Sequence, residues 1–434
     1  MDSKVIETPS KKNWMSRFVP IWTGQIFSLL GSAVVQFALV WWLTQKTGSA
    51  TVLTTATLVA LLPEVLLAPF AGALVDRWNR RWVMVVSDTS IAIITLTLVV
   101  LFALNKVEVW QIYGVLFLRS IGGIFHWPAM QASTTLMVPR EHYSRIAGIN
   151  QAVRGALNII AAPLGALLMS LVQFYQVVAV DVVTAVIAIT PLLFIQIPQP
   201  VHEDAGSILT PARILKDIGE GFKYLKAWKG LLYLLLVAAM LNFFLAPAGT
   251  LMPLLVTRYF GKGVWELSIL ESTLGIGTVA GGLILGAWGG FKKRIITVLS
   301  GVIGLGLGVC VLGLAPANAF IVAVIGCAFL GFMVPIANGP LQAIMQSTVP
   351  PEMQGRVMGV TGSVSSAMMP LSMVAAAPVA ELLGIRTWFW AGGLLVMLIG
   401  GMGFFVPAIM TLEAHSKPQP ILETGDQAVK EMNS

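Results

Sequence analysis

The chain has 434 residues, 56% hydrophobic and only 11% charged, with 27 Lys and Arg against 20 Asp and Glu for a formal net charge of +7. Soluble domains carry about 25% charged residues, so a mean hydropathy of +0.83 and so little charge exclude a soluble globular protein. Cys310 and Cys327 lie in apolar stretches and read as buried thiols, and no His/Cys grouping suggests a metal; no metal and no cofactor is expected.

The polar stretch Met1–Lys12 is no cleavable signal sequence, and the first apolar segment has no small-residue cleavage site, so it is expected to stay in the membrane. A span needs about 20 apolar residues. Twelve are predicted, at 18–42, 51–75, 82–104, 110–135, 146–171, 175–197, 231–256, 266–289, 295–314, 317–346, 356–382 and 387–411. The long break at 198–229 holds PQP, HED and the basic amphipathic run DIGEGFKYLKAWK, which reads as a cytoplasmic linker. The expected fold class is all-α integral membrane: bundles of six helices at 18–197 and 230–411, with tails at 1–17 and 412–434.

The two bundles echo each other. Residues 131–148 (QASTTLMVPREHYSRIAG) and 342–359 (QAIMQSTVPPEMQGRVMG) agree at Gln131/Gln342, Ala132/Ala343, Val138/Val349, Pro139/Pro350, Glu141/Glu352, Arg145/Arg356 and Gly148/Gly359. Gly72, Ala73 and Arg80 likewise match Gly286, Ala287 and Arg294. Pairs of similar membrane halves suit a carrier that alternates between two faces. With the N-terminus placed in the cytoplasm, 20 of the 27 basic residues fall on that side, 5 outside (Lys46, Lys106, Arg258, Lys262 and Arg386), and Arg119 and Arg154 in the membrane. The positive-inside rule therefore predicts two cytoplasmic termini in a cell membrane, and explains the +7 without nucleic acid.

Five ionisable residues fall within spans, where each costs about 2.5–3.5 kcal/mol on insertion scales: Glu64, Arg119, Arg154, Asp181 and Glu271. Glu64, central in its span beside Pro63, is the first candidate proton carrier; partnership with Arg119 or Arg154 is the competing reading. Asp181 and Glu271 lie nearer the outer ends, as interfacial charges or, for Glu271, as a counter-ion for cationic solutes. Amides and aromatics suggest an apolar cavity with few polar anchors: Gln25, Gln36, Phe37, Arg154, Asn158, Asn242, Asn338 and Gln342. Gly275-Ile-Gly277-Thr-Val-Ala280 mimics a dinucleotide fingerprint but lies in an apolar span. The pairs Gly277/Gly281, Gly282/Gly286 and Gly304/Gly308 read better as close helix packing.

The loop GALVDRWNRR (72–81) resembles the signature of the major facilitator superfamily, Gly-x-Leu-x-Asp-Arg-x-Gly-Arg-Arg/Lys, at Gly72, Leu74, Asp76, Arg77, Arg80 and Arg81. Asn79 replaces the second Gly and is expected to tolerate the left-handed turn. The resemblance covers the whole chain and implies that Gly72, Asp76, Arg77 and Arg80 latch the two halves; the arginines also suit lipid phosphates. It further implies a proton-transfer role for Arg119, read with Gly123 as Arg-x-x-x-Gly. Ala162-Pro163-Leu-Gly165 is a degenerate version of the family's antiporter stretch. The Val-Pro-x-Glu repeats and Gly221-Phe-Lys-Tyr-Leu225 look like the drug-efflux branch that includes macrolide exporters. The expectation is a monomeric secondary transporter, exporting amphiphilic drugs against protons, with proton coupling among Glu64, Arg119, Asp181 and Glu271. Export of a siderophore, lipid or other small solute is the alternative. An intramembrane enzyme finds no convergent nucleophile and base, and the motif for an ATP motor is absent.

Overall fold

The computed structural model describes residues 14–199 and 211–415; residues 1–13, 200–210 and 416–434 lie outside the described residues. The first half comprises α1 (Trp14–Thr47), α2 (Ala50–Arg77), α3 (Arg80–Ala103), α4 (Val109–Met137), α5 (Tyr143–Leu171) and α6 (Phe174–Phe194). A linker helix, α7 (Pro211–Ala227), precedes the second half: α8 (Lys229–Leu254), α9 (Val264–Trp288), α10 (Arg294–Leu314), α11 (Phe320–Thr348), α12 (Pro351–Leu382) and α13 (Ile385–Gly403). A π-turn, Leu255–Tyr259, extends α8, and α14 (Pro407–Met410) follows α13. Eleven of the described helices are long and apolar enough to cross a membrane. The remaining long helix, α4, carries Arg119 and His126, which lower its hydropathy.

Packing follows one plan twice. In the first half α1 packs on α5 and α6, α2 on α4, and α3 on α4 and α6. In the second, α8 packs on α12 and α13, α9 on α11, and α10 on α11 and α13. Each pair maps onto its counterpart when α1–α6 are superposed in thought on α8–α13. The seams between halves, α2 with α12 and α5 with α9, exchange under the same mapping. This is the twofold arrangement that the repeated sequence implies. The α2–α3, α4–α5, α9–α10 and α11–α12 turns share one end with α7, termed the linker end; the α1–α2 and α12–α13 turns mark the far end.

Side chains set the helix boundaries. Ser49 caps α2, accepting from Val52 N at 3.3 Å. Asn79 caps α3, accepting from the Arg81 and Trp82 amides at 3.1 and 3.4 Å. Its φ is −67°, so the left-handed turn expected at Asn79 does not form. The residue is used as an N-cap, a role its short amide fills better than glycine's bare backbone.

Glycine builds the frame of the second half. A Cβ added to Gly277 or Gly281 would run into the carbonyl oxygens of Ala328 or Phe332, and one on Gly308 would lie 2.9 Å from Leu330 Cα. Thus α9, α10 and α11 touch backbone to backbone, as two of the three GxxxG pairs predict. The third pair differs: Gly282 and Gly286 have no such neighbour within 4 Å.

The linker helix is docked. Leu225 is fully buried, and a Cβ on Gly221 would lie 2.8 Å from the Arg356 carbonyl oxygen on α12. Arg356 Nη1 also pairs with Glu220 Oε2 at 2.9 Å, so one arginine of the repeated loop holds the linker against the second half.

Candidate functional site

A cavity of about 370 Å³ lies where the halves meet. Its wall draws Gln36 and Phe37 from α1, Leu53 and Thr57 from α2, Asn158 and Ala162 from α5, Thr250 and Pro253 from α8, and Glu271 from α9. Volume and lining suit a drug-sized apolar molecule with a few polar anchors. Glu271 is the one ionisable residue of the described lining. Beside it, Ser272 Oγ donates to the Ile159 carbonyl at 2.9 Å and ties α9 to α5. Gly165 makes room for the Phe37 ring, since a Cβ there would lie 2.7 Å from Phe37 Cδ1. The degenerate Ala162-Pro163-Leu-Gly165 stretch therefore shapes the cavity wall.

The far end is stitched between halves. Thr57 and Thr250 share a hydrogen bond of 3.3 Å. Nearer the end, Glu381 Oε1 on α12 accepts from Ser49 Oγ at 3.0 Å, Thr51 N at 3.1 Å and Thr51 Oγ1 at 2.9 Å. The Arg258 guanidinium closes against Gly48, whose φ of +60° and lack of Cβ admit it: a Cβ would lie 3.3 Å from Arg258 Nη2.

The sequence candidates fall in several separate places. Gln36, Phe37, Asn158 and Glu271 are brought together in the cavity. Glu64 and Arg154 are exposed and lie on its flanks toward the linker end. Glu64 follows Thr57 by two helical turns and Arg154 precedes Asn158 by one, so each shares a face with a lining residue. Arg154 Cζ lies 3.9 Å from the centre of the Trp127 ring, a cation–π contact that holds the guanidinium.

Arg119 and Asp181 form a separate buried cluster within the first half, paired with each other. Ser32 Oγ and Thr95 Oγ1 donate to the two Asp181 oxygens at 2.6 and 2.8 Å, so this carboxylate is fully occupied. Gln25 is also away from the cavity: it is fully buried and donates to Asp88 Oδ2 at 2.9 Å. His126 Nε2 lies 3.3 Å from Asp88 Oδ1, near enough to interact but off the line of a hydrogen bond.

Asn242, half-buried on α8, donates to the Ala238 carbonyl one turn back, and Asn338 does the same to Val334. Neither they nor Gln342, exposed on α11, line the described cavity. In the 72–81 loop, the surroundings of Gly72 and the Asp76 side chain lie outside what the structure describes. Arg77 is exposed, and Arg80 is buried, its backbone N–H donating to Gln199 Oε1 at 3.2 Å. Arg81 donates to the Leu192 and Leu193 carbonyls, satisfying the last turn of α6.

Thr57, Thr250 and Glu381 had no motif to announce them. The one sequence signal that could have pointed to the far-end contact is Ser49 ahead of an apolar run, a residue type favoured at a helix start.

A family model described as Major Facilitator Superfamily matches residues 21–373. Macrolide efflux protein A of Streptococcus pyogenes is 36% identical over 387 residues, covering 89% of this chain and 95% of that protein. The multidrug efflux pump Tap of Mycolicibacterium fortuitum is 27% identical over 412 residues, covering 89% and 95%. Among solved structures, the nucleoside transporter NupG has a TM-score of 0.69 at 13% identity, covering 90% of this chain and 99% of that one. A bacterial homolog of the human lysosomal transporter Spinster, in an inward-facing and unoccupied conformation, has a TM-score of 0.66 at 16% identity, covering 95% and 100%.

Proposed function

Because the chain belongs to the major facilitator superfamily, we propose that this membrane transporter of small molecules exports amphiphilic, macrolide-like compounds in exchange for protons. The observation that carries the reading is the 36% identity with Macrolide efflux protein A over nearly the full length of both chains. An apolar cavity at the seam of the halves, with a single carboxylate on its wall, supports it.

The sorting of basic residues places the linker end in the cytoplasm, which makes the stitched far end the outer face. The structure then corresponds to a state closed outside. The flanking charges Glu64 and Arg154, which need water, mark the path from the cytoplasm to the cavity. Rocking of the halves about the α2–α12 and α5–α9 seams delivers the cavity to the other face, and the Asp76 loop closes the linker end in that state.

In this reading Glu271, rather than Glu64, exchanges the proton. Its carboxylate releases a proton when it takes the ammonium group of a cationic drug, and regains one from outside after the drug leaves. Arg119 and Asp181 serve as the internal brace of the first half. The protein acts as a monomer in lipid.

The test is a susceptibility panel, with macrolides and lipophilic cations, in an efflux-deficient bacterial host carrying the parent, Glu271→Gln or Glu64→Gln. The parent is expected to confer resistance that an uncoupler abolishes, Glu271→Gln to lose it, and Glu64→Gln to keep a large part. Resistance to no compound sinks the drug-export reading. Full resistance in Glu271→Gln moves the proton to another residue.

A further inference from the structure

We propose that Glu381 is the outer latch of this transporter: its carboxylate, bound to the start of α2, holds the far end of the cavity shut, and must let go for substrate to leave. The inference rests on the orientation proposed above.

The geometry is specific. Glu381 is the penultimate residue of α12, in the second half, and Ser49 and Thr51 open α2, in the first. One oxygen accepts two hydroxyls and the Thr51 amide, all within 2.9–3.1 Å. The amide is one of the four N–H groups that a helix start leaves unpaired. Negative charge is favoured at that end by the helix dipole. The contact thus joins a charge to a dipole across the seam, and it lies directly above the cavity wall formed by Leu53 and Thr57 on the same helix. Arg258 from the second half fills the neighbouring position against Gly48 of the first.

The seam gives the contact its role. The helices α2 and α12 run antiparallel, because α2 travels from the far end to the linker end and α12 the reverse. Far-end opening separates the start of α2 from the end of α12, and no opening of that kind preserves the three bonds. At the linker end the corresponding penultimate residue of α2 is Asp76, and the start of α12 is Pro351. The antiparallel pair therefore ends on an acid at each face, one on each half. Glu381 is a positioning residue: it sets which face is closed and does not line the cavity.

The test uses the full-length transporter in intact cells. Ala33→Cys places a thiol on the cavity wall beneath the seal, while Cys310 and Cys327 are buried. Its rate of labelling by a membrane-impermeant maleimide is compared in four backgrounds: parent, Glu381→Ala, Glu381→Gln and Thr51→Val. The latch predicts faster outside labelling by about 3–10-fold in Glu381→Ala, the scale of an exposed charged contact. Thr51→Val is expected to move in the same direction, and Glu381→Gln, which keeps the acceptor without the charge, to lie between. Combining Glu381→Ala with Thr51→Val should add nothing, because both remove one contact. A merely structural role lowers yield or melting temperature without changing labelling, which would overturn the proposal, as would strictly additive effects. If labelling rises only in inverted vesicles, the latch stands and the orientation fails. Thr51→Val carries the test if Glu381→Ala does not insert.

Discussion

Replacing Asp181 by Asn is the sharpest probe of the first half. The change keeps the shape of the side chain and removes its charge. Asp181 is 1% exposed and Arg119 is 11% exposed, so neither is screened appreciably by water. The loss leaves the Arg119 guanidinium inside the bundle without a counter-ion and turns an amide N–H₂ toward donors. Two of those donors, the hydroxyls of Ser32 and Thr95, each lose a carboxylate acceptor. Removing one partner of a buried ion pair costs about 3–5 kcal/mol. At about 1.4 kcal/mol per tenfold, that is about two to three and a half powers of ten in the folded population. The assay is thermal unfolding of the detergent-solubilised protein, followed by size-exclusion chromatography of a fluorescent fusion. The single variant should melt well below the parent. The double variant Asp181→Asn with Arg119→Met should recover most of the difference, because exchanging a whole buried pair for uncharged groups is close to neutral. If the double variant also regains transport, the pair is a brace and not a proton relay. A single variant that melts with the parent, or a double variant no better than the single, refutes the reasoning.

Four further outcomes follow from the packing and caps. Gly277→Val pushes a side chain into the Ala328 carbonyl and should cost about 1–3 kcal/mol, whereas Gly282→Val, in open space, should melt with the parent. Asn79→Ala should cost about 1 kcal/mol and Asn79→Gly only a few tenths, the order for an N-cap; a stabilising Gly would restore the left-handed turn instead. The Glu220–Arg356 pair is 39% and 41% exposed, so Glu220→Gln should change the melting point little, worth at most about 1 kcal/mol. Gly221→Leu, by contrast, should lift α7 from α12, and a Leu225→Cys reporter should become reactive in that background alone.

The sequence spoke clearly wherever a physical rule acts along the chain. Apolar length revealed the spans, and Pro, Glu and Arg at fixed spacing exposed the duplication. Several helices overrun the predicted spans, as α1 does by reaching from Trp14 to Thr47, because helical hydrogen bonding continues past the apolar stretch into polar ends, whereas α6 stops at Phe194 and α13 at Gly403, short of the predicted ends at 197 and 411. The site was less legible, since it depends on which helix faces which. Arg119 and Asp181 are 62 residues apart and meet only through the packing of α4 against α3 and α3 against α6. Gln25 looked like a cavity amide because periodicity cannot tell a face toward α3 from a face toward the seam. Glu381 was hidden by its place at a helix end, where a charge is ordinary; its meaning comes from a partner 330 residues away.

The glycine contacts of the second half also bear on how such a protein diversifies. Where α9, α10 and α11 touch through backbone, any side chain is an obstruction, so variation at Gly277, Gly281 and Gly308 is vetoed by sterics. The cavity wall is made of side chains: Gln36 and Asn158 line open volume and can be exchanged without moving a helix. Mutational drift is thereby steered away from the frame and onto the wall. On the proposed function, a descendant of this chain would acquire a new range of cargo by altering a handful of side chains, with the frame around them inherited intact.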